Sequence, residues 1–132
     1  MPTLPIDRER CLELLARARL GRIAVTGRGP VPVVRPVNYV FDPRTQSVVF
    51  RAVAGSKLGA LLRAGQAAFE IDEFNAERRT GWSVIVSGVC EPVRARAEVE
   101  RLTALGLDNW HAGEADEWIR VHARTVSGRQ IA

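Results

Sequence analysis

The amino-acid sequence predicts a mainly β protein, an antiparallel barrel of six strands with helical insertions. Six segments have the alternating or compact apolar pattern of strands, and three others have the spacing of amphipathic helices. Turn residues at 27–30 and 42–45 join the first three strands with no room for a helix. A doubly wound parallel sheet needs a helix between nearly all its strands, so these two hairpins favour the antiparallel barrel.

The first predicted element is a helix that begins after Asp7 and ends at Gly21. The Asp7 carboxylate can accept a hydrogen bond from a free N–H group of the first turn. Four apolar residues fall on one helical face, which would cover one end of the barrel: Cys11, Leu14, Leu15 and Ala18.

Two strands are expected next, at 22–26 and 31–41. The second places five apolar residues on one face, with Arg35 interrupting the series. Because Pro32 and Pro36 have no N–H group to donate, this strand is expected to be bulged or to lie at a sheet edge. The five residues are Val31, Val33, Val37, Tyr39 and Phe41.

A compact β-branched strand at 47–52 leads at once into Gly55 and Ser56. Ser56 can cap a short helix that closes near Gly65 and turns three leucines inward: Leu58, Leu61 and Leu62.

The second half of the chain predicts three further strands and a helix. A half-buried strand at 67–72 is followed by a polar loop at 74–81 and by the longest strand, at 82–93. That strand is nearly apolar on both faces and is therefore expected to lie centrally. A helix at 95–105 and a last strand at 118–123 complete the fold.

Composition limits the class of protein. The hydrophobic fraction of 46% and the length of 132 residues fit a single domain spanning 1–132. No membrane span and no secretion signal is recognised, so a cytoplasmic location is expected. Cys11 and Cys90 have no metal-ligand spacing, and no metal site is predicted. The net charge of +4 comes from scattered arginines, which argues against nucleic-acid binding.

The segment from Phe50 to Lys57 is the strongest candidate site. It leaves a strand, turns at Gly55 and enters a helix, where backbone N–H groups can hold a phosphate. Arg51, Ser56 and Lys57, the only lysine in the chain, would add charged and hydroxyl donors. The alternative is an ordinary helix cap flanked by solvated charges.

Five segments in this order resemble the pyridoxamine 5′-phosphate oxidase-like split-barrel family, particularly its small actinobacterial-type members. They are VPVVRPVNY at 31–39, VFRAVAGSKL at 49–58, FEID at 69–72, TGWSVIVSG at 80–88 and TVSGRQI at 125–131. The resemblance covers nearly the whole chain. It implies an FMN-binding split barrel that forms a homodimer, with FMN in clefts between the subunits.

The resemblance also implies roles for individual residues. Arg51, Ser56 and Lys57 would contact the FMN phosphate, within a segment that includes Phe50 and Ala52. Ala52 stands where relatives often carry threonine, which removes one hydroxyl from the phosphate site. The flavin ring would lie along Arg35, Pro36, Val37 and Asn38.

Three further residues are implied near the cleft. Trp82 and Ser83 would lie beside it, although Trp82 could equally be a core residue. Arg129 would reach the partner subunit's cleft, unless it is a solvated tail residue.

The function expected from this resemblance is an FMN-dependent oxidoreductase acting on a small-molecule substrate. The sequence contains no nucleophile and base pair or carboxylate dyad, so no catalytic side chain is identified. The alternatives are a deazaflavin-dependent reductase and a flavin- or haem-binding protein without turnover. Arg120 and His122 are interpreted as the outward face of the last strand, and Trp110 and His111 as loop residues that could overhang the cleft.

Overall fold

A computed structural model describes residues 3–27, 29–53, 55–63, 65–107 and 116–131. These residues form a curled antiparallel sheet of nine strands with three helices, which confirms the barrel with helical insertions. In chain order the elements are β1 (Thr3–Ile6), α1 (Arg8–Arg17), β2 (Leu20–Val25), β3 (Val33–Asn38), β4 (Val40–Asp42), β5 (Ser47–Ala52), α2 (Lys57–Leu62), β6 (Gln66–Asn75), β7 (Thr80–Val93), α3 (Arg96–Thr103), β8 (Glu117–His122) and β9 (Thr125–Ile131).

The sheet is organised around β7. Its strand order is β3-β2-β6-β7-β8-β5-β4, and β9 pairs with both β7 and β1. The 14-residue β7 thus pairs with β6, β8 and β9, and its predicted central position is confirmed. One of its faces is nevertheless uncovered in the single chain, because Ile85 is 47% exposed and Val89 is 44% exposed.

The first helix begins as predicted. The Asp7 carboxylate accepts a hydrogen bond from Arg10 N at 2.8 Å, and Cys11, Leu14 and Leu15 are buried. The helix ends at Arg17 rather than at Gly21, because Gly21 already lies in β2. A Cβ atom at Gly21 would overlap the Phe69 ring, so the close contact of β2 with β6 requires glycine.

The predicted strand at 31–41 is two strands. β3 lies at one end of the sheet, as its prolines indicated. The chain then turns inward at Tyr39, whose backbone N donates to Arg19 O and whose hydroxyl donates to Leu15 O at 2.6 Å. Val31 was expected on the buried face, but it precedes β3 and is 75% exposed.

Three other expectations need correction. The polar loop at 74–81 is shorter, because the β6–β7 ladder continues to the pair Asn75↔Thr80. The strand β8 is not the last one, since β9 follows and pairs with β7 and β1. Neither β1 nor β9 was predicted, because most of their residues are exposed and give no buried alternation.

The apolar interior has two parts. The larger fills the space between α1, α2 and the concave sheet, and it includes Phe50 and Phe69. The smaller lies between α3 and the sheet and contains Val40, Val49, Val93 and Leu102. Both cysteines are buried free thiols. None of the helices that the structure describes is long and apolar enough to cross a membrane.

Candidate functional site

A cleft of about 350 Å³ lies where β3, the end of β5 and the start of α2 meet. Seven of the residues singled out in the sequence line it: Arg35, Pro36, Val37, Asn38, Arg51, Ala52 and Ser56. Val53, Leu58, Leu107 and Asp116 complete the described part of its wall. The fold therefore brings together two segments that are separate in the sequence.

The edge strand β3 forms one wall. Among the described strands it pairs only with β2, so the backbone groups along its other edge are not used in a sheet ladder. Pro36 contributes no N–H group to this edge. The Arg35 guanidinium folds back onto its own strand and donates to Val34 O at 2.8 Å. The wall thus offers mainly backbone polar groups and the Asn38 side chain.

Arg51 is the positive charge of the opposite wall. Its side chain is only 19% exposed, and its Nη2 atom lies 3.9 Å from Asp116 Oδ2. The guanidinium also lies over the Trp118 ring, 5.6 Å from the ring centroid. Packing against the ring fixes the cation at the cleft.

Ser56 caps α2, as its position predicted. Its Oγ atom accepts a hydrogen bond from Gly59 N at 3.0 Å, which leaves the hydroxyl proton to be donated elsewhere. The preceding Gly55 has φ +78°, a conformation that other residues adopt at a cost. This turn brings the cap beside Arg51 in the cleft wall.

Two residues predicted at the phosphate site, Lys57 and Phe50, do not line the cleft. Lys57, the first residue of α2, is exposed and lies outside the described lining of the cleft. The Phe50 side chain is fully buried in the core, on the opposite face of β5 from Arg51. It therefore supports the site from behind and makes no side-chain contact there. Ala52 lines the cleft, but its side chain is 3% exposed and belongs to the core on the same face of β5 as Phe50.

Trp82, Ser83 and Arg129 lie together in a separate cleft of about 280 Å³. Ser83 and Arg129 are direct partners across the β7–β9 ladder. Trp82 also packs against the core, which agrees with its interpretation as a core residue. Within one chain, these three residues do not reach the first cleft.

The outer sheet face is partly apolar and carries an ion cluster that the sequence did not reveal. Val34, Ile85 and Val89 are each more than two-fifths exposed on this face. Arg22 Nη1 lies 3.2 Å from Glu70 Oε1 and 3.3 Å from Asp72 Oδ1. Burial, followed by the hydrogen bond and charge of Asp72, raises the pKa of Glu70 to about 7.

A second charged cluster fixes α3 to the sheet. Arg101 donates two hydrogen bonds to the fully buried Asp42 carboxylate, at 3.0 and 2.7 Å, and two further ones to Glu98. The Arg101 hydrogen bond lowers the pKa of Asp42 to about 2. Arg120 is buried and donates to Glu98 at 2.6 Å, so it is a structural residue.

The remaining candidates do not extend the first cleft. His122 is partly exposed and lies 2.9 Å from Glu91 Oε1. Trp110 and His111 fall outside the described residues. Val53 and Leu58 also line the cleft and fall within the predicted segment 49–58, whereas Leu107 and Asp116 lie outside every segment singled out in the sequence. Asp116 and Leu107 carry no local signal, since only the β5–β8 pairing and the end of α3 bring them to the site.

Comparison with known proteins shows which family and fold this chain shares. An uncharacterized protein, Rv0080 of Mycobacterium tuberculosis, is 33% identical, and the match covers 96% of this chain and 84% of that protein. The FAD binding protein from Mycobacterium smegmatis is similar with a TM-score of 0.83 and 31% identity, over 98% of this chain and all of that one. DIP1874 from Corynebacterium diphtheriae, a conserved protein of unknown function, is similar with a TM-score of 0.83 and 29% identity over the whole of both chains. The family model described as pyridoxamine 5′-phosphate oxidase matches residues 7–130, and this chain belongs to that family.

Proposed function

We propose that this protein is a flavin-dependent oxidoreductase that binds FMN in the cleft between β3 and β5 and acts on a small-molecule substrate. One observation carries the proposal. A single cleft gathers the backbone edge at residues 35–38 and the cationic strand end at Arg51, as a ligand with a flat polar ring and a phosphate requires. Its volume of about 350 Å³ lies in the usual range of small-molecule sites.

The ring of FMN fits the β3 wall. A flavin has a polar edge of carbonyl and N–H groups, and β3 has backbone groups outside the sheet ladder. Asn38 adds an amide that can both donate and accept. Val37 and Leu58 supply apolar surface for the faces of the ring.

The phosphate fits the β5–α2 wall. Arg51 supplies a held guanidinium, and the Ser56 hydroxyl keeps a proton to donate. Lys57 is exposed beside them and can swing its ammonium toward the phosphate. Charge-assisted bonds of this kind are stronger than those between neutral groups, so they offset the hydroxyl that is missing at Ala52.

The flavin would supply the electron-transfer chemistry itself. The described residues of the cleft would bind it, orient its ring and exclude water from one side. The only carboxylate among them is Asp116, which faces Arg51 at 3.9 Å. This agrees with a protein whose side chains position the cofactor.

A homodimer would complete the site. In one chain, Trp82, Ser83 and Arg129 lie in their own cleft, away from the FMN cleft. The outer sheet face carries exposed apolar residues and opposite charges, which suit self-association. A second copy on this face would bring its Trp82, Ser83 and Arg129 toward the first chain's cofactor.

The relatives support a flavin in particular. The M. smegmatis neighbour with 31% identity is an FAD binding protein. Haem needs an axial ligand such as histidine, cysteine, methionine or tyrosine, and none of these lines the described part of the cleft. We therefore favour a flavin over haem for this chain.

The test is a titration of the purified protein with FMN, followed by its visible spectrum. We expect saturable binding and a flavin spectrum, then reduction of the bound flavin by NADPH or NADH. Binding of a deazaflavin instead of FMN would change the cofactor, and a Soret band would indicate haem. A protein that binds none of these ligands would contradict the proposal.

A further inference from the structure

The outer sheet face contains a groove of about 420 Å³ in which Arg22, Glu70 and Asp72 lie beside apolar side chains. Its other described lining residues are Ala24, Val34, Ala68 and Ile85. We propose that a second copy of this chain covers the groove and that each chain takes up a proton there, so that the homodimer is tighter below neutral pH than above it. The inference rests on the proposed function, because it concerns the homodimer that would complete the FMN site.

The strand register puts Glu70 in the middle of this face. Glu70 is the cross-strand partner of Arg22 on β2 and of Ile85 on β7. Side chains of directly opposite residues share one face of a sheet, so these three residues form a row. Ile85 is exposed on one side of β6, and Val34 on β3 is exposed on the other side. A partner that covers both apolar side chains must therefore also cover the Glu70 carboxyl group between them.

The charges of the groove do not balance. Arg22 Nη1 lies 3.2 Å from Glu70 Oε1 and 3.3 Å from Asp72 Oδ1, so one guanidinium faces two carboxyl groups. In a single chain all three side chains are partly exposed, and water solvates them. A symmetric partner would bring the same excess of acid, because a twofold interface presents one patch twice. Loss of this water disfavours the second carboxylate, and a proton bound by one carboxyl group of each chain restores the balance.

The surrounding strands do not supply another cation at the groove. Among the described residues, Arg22 and Asp72 are the charged groups that β2, β6 and β7 place beside Glu70. Arg35 on β3 alternates with the groove residues of its ladder and lies on the opposite face. Arg129 on β9 is two strands away from β6. The balance within the groove therefore depends on Arg22 of each chain.

The single chain already favours a proton at this position. Burial, followed by the hydrogen bond and charge of Asp72, raises the pKa of Glu70 to about 7. A hydrogen bond between two carboxyl groups requires a proton on one of them. A second copy removes more water and raises this pKa further. Above about pH 7 the separated chains release the proton that the dimer keeps, so the dimer weakens as the pH rises.

The experiment measures the dimer dissociation constant by sedimentation velocity over a series of protein concentrations, at about pH 6 and about pH 8.5. Each proton taken up on association changes this constant by up to about tenfold per pH unit. We expect dissociation to be at least about tenfold easier at the higher pH. Glu70→Gln removes the ionisable group and keeps a side chain that can bond Asp72, so this variant should dimerise equally well at both pH values.

Glu13→Gln is the matched control for Glu70→Gln. Glu13 is also a glutamate that faces an arginine, with its Oε2 atom 2.9 Å from Arg10 Nη1, but it is exposed on α1 and lies outside the groove. The control should keep the pH dependence of the native protein. In Asp72→Asn, Arg22 faces a single carboxylate, so the pH dependence should move to lower pH.

FMN affinity gives an independent measurement. At a protein concentration near the dimer dissociation constant, FMN should bind more weakly at about pH 8.5 than at about pH 6, because binding and assembly are linked. The ratio of the two FMN affinities in Glu70→Gln should be smaller than in the native protein. Riboflavin, which lacks the titratable phosphate, should show the same trend.

Two results would overturn the inference. One is a dimer whose dissociation constant is the same at both pH values, and the other is a pH dependence that persists unchanged in Glu70→Gln. In both cases the proposed function stands if the dimer binds FMN. A protein that is monomeric at both pH values would overturn the inference together with the proposed homodimer, and the FMN titration tests the cofactor separately.

Discussion

The guanidinium of Arg51 lies 5.6 Å from the centroid of the Trp118 ring, and the two residues face each other across the β5–β8 ladder. Arg51 lines the FMN cleft and also an adjoining cavity of about 310 Å³, and Trp118 lines that second cavity. Because a strand register sets this arrangement, both cavities have a rigid common wall. We expect the ligand's phosphate to lie at this wall.

Lys57→Ala should weaken FMN binding about tenfold, because it removes a charge-assisted bond to the phosphate. Riboflavin has no phosphate, so its affinity should not change. The melting temperature should also stay the same, since Lys57 is exposed. Fluorescence titrations with both ligands measure this difference. Arg17→Ala, an exposed charge in the last turn of α1, is the control and should change neither affinity. An equal loss of FMN and riboflavin affinity would show that Lys57 does not contact the phosphate.

Arg101→Met should destabilise the protein by about 3 kcal/mol, because it leaves the Asp42 carboxylate buried without its main partner. Chemical denaturation measures the free energy of unfolding. Arg96→Met removes an ion pair with Glu100 that is almost fully solvated, and it should cost less than about 0.5 kcal/mol. Similar losses in the two variants would mean that the buried pair does not anchor α3.

The same ion pair predicts acid sensitivity. The Arg101 hydrogen bond lowers the pKa of Asp42 from 3.8 to about 2, so the unfolded state takes up the proton first as the pH falls. The stabilisation is complete above about pH 4 and is lost as the pH falls toward 2. In Arg101→Met this part of the acid dependence should be much smaller. Unchanged acid dependence in the variant would contradict the assignment.

The raised pKa of Glu70 predicts a pH dependence of the free energy of unfolding opposite to that of Asp42. Its pKa is raised from 4.5 to about 7, so between these values the folded state holds a proton that the unfolded state has released. The free energy of unfolding should therefore decrease as the pH rises from about 4.5 to about 7. Arg22 and Asp72 are the charged groups that face Glu70. Glu70→Gln should remove this decrease in denaturation curves at pH 5 and pH 7.5, and an unchanged slope would assign it to other groups.

Ile85→Asp should dissociate the proposed homodimer, because it places a charge in the middle of the exposed apolar face. Sedimentation velocity measures the loss of the dimer. FMN affinity should fall with it, because binding and assembly are linked when both chains contribute to a site. Val31→Asp is the control, since Val31 is more exposed but precedes β3 and lies outside that face. A dimer that persists in Ile85→Asp would place the interface elsewhere.

Local patterns predicted the elements whose signals are local. The Asp7 and Ser56 caps lie where the sequence indicated, and β5 has the predicted bounds. The strands β1 and β9 were missed because their stability comes from pairing with each other and with β7, while their side chains are largely exposed. Strands that are held mainly by backbone pairing lack the alternation of buried and exposed residues by which a single sequence would reveal them.

The candidate site was likewise predictable only where its signals are local in the sequence. Its two main segments could be recognised in the sequence, by their prolines and by the turn into a capped helix. Their meeting in one cleft, and the contribution of Asp116, depend on the order of the strands. The pair of Asp42 and Arg101, 59 residues apart, likewise has no local signal. These features depend on contacts between residues that are far apart in the sequence.

A crystal structure of the protein grown with FMN is the most direct test of where the flavin binds. We expect the flavin ring to lie along Arg35 to Asn38 and the phosphate to lie within hydrogen-bond distance of Arg51 and Ser56. We also expect the Trp82, Ser83 and Arg129 side chains of a second copy to contact the same ligand. FMN bound at another surface, or a phosphate that faces away from Arg51, would contradict the claim.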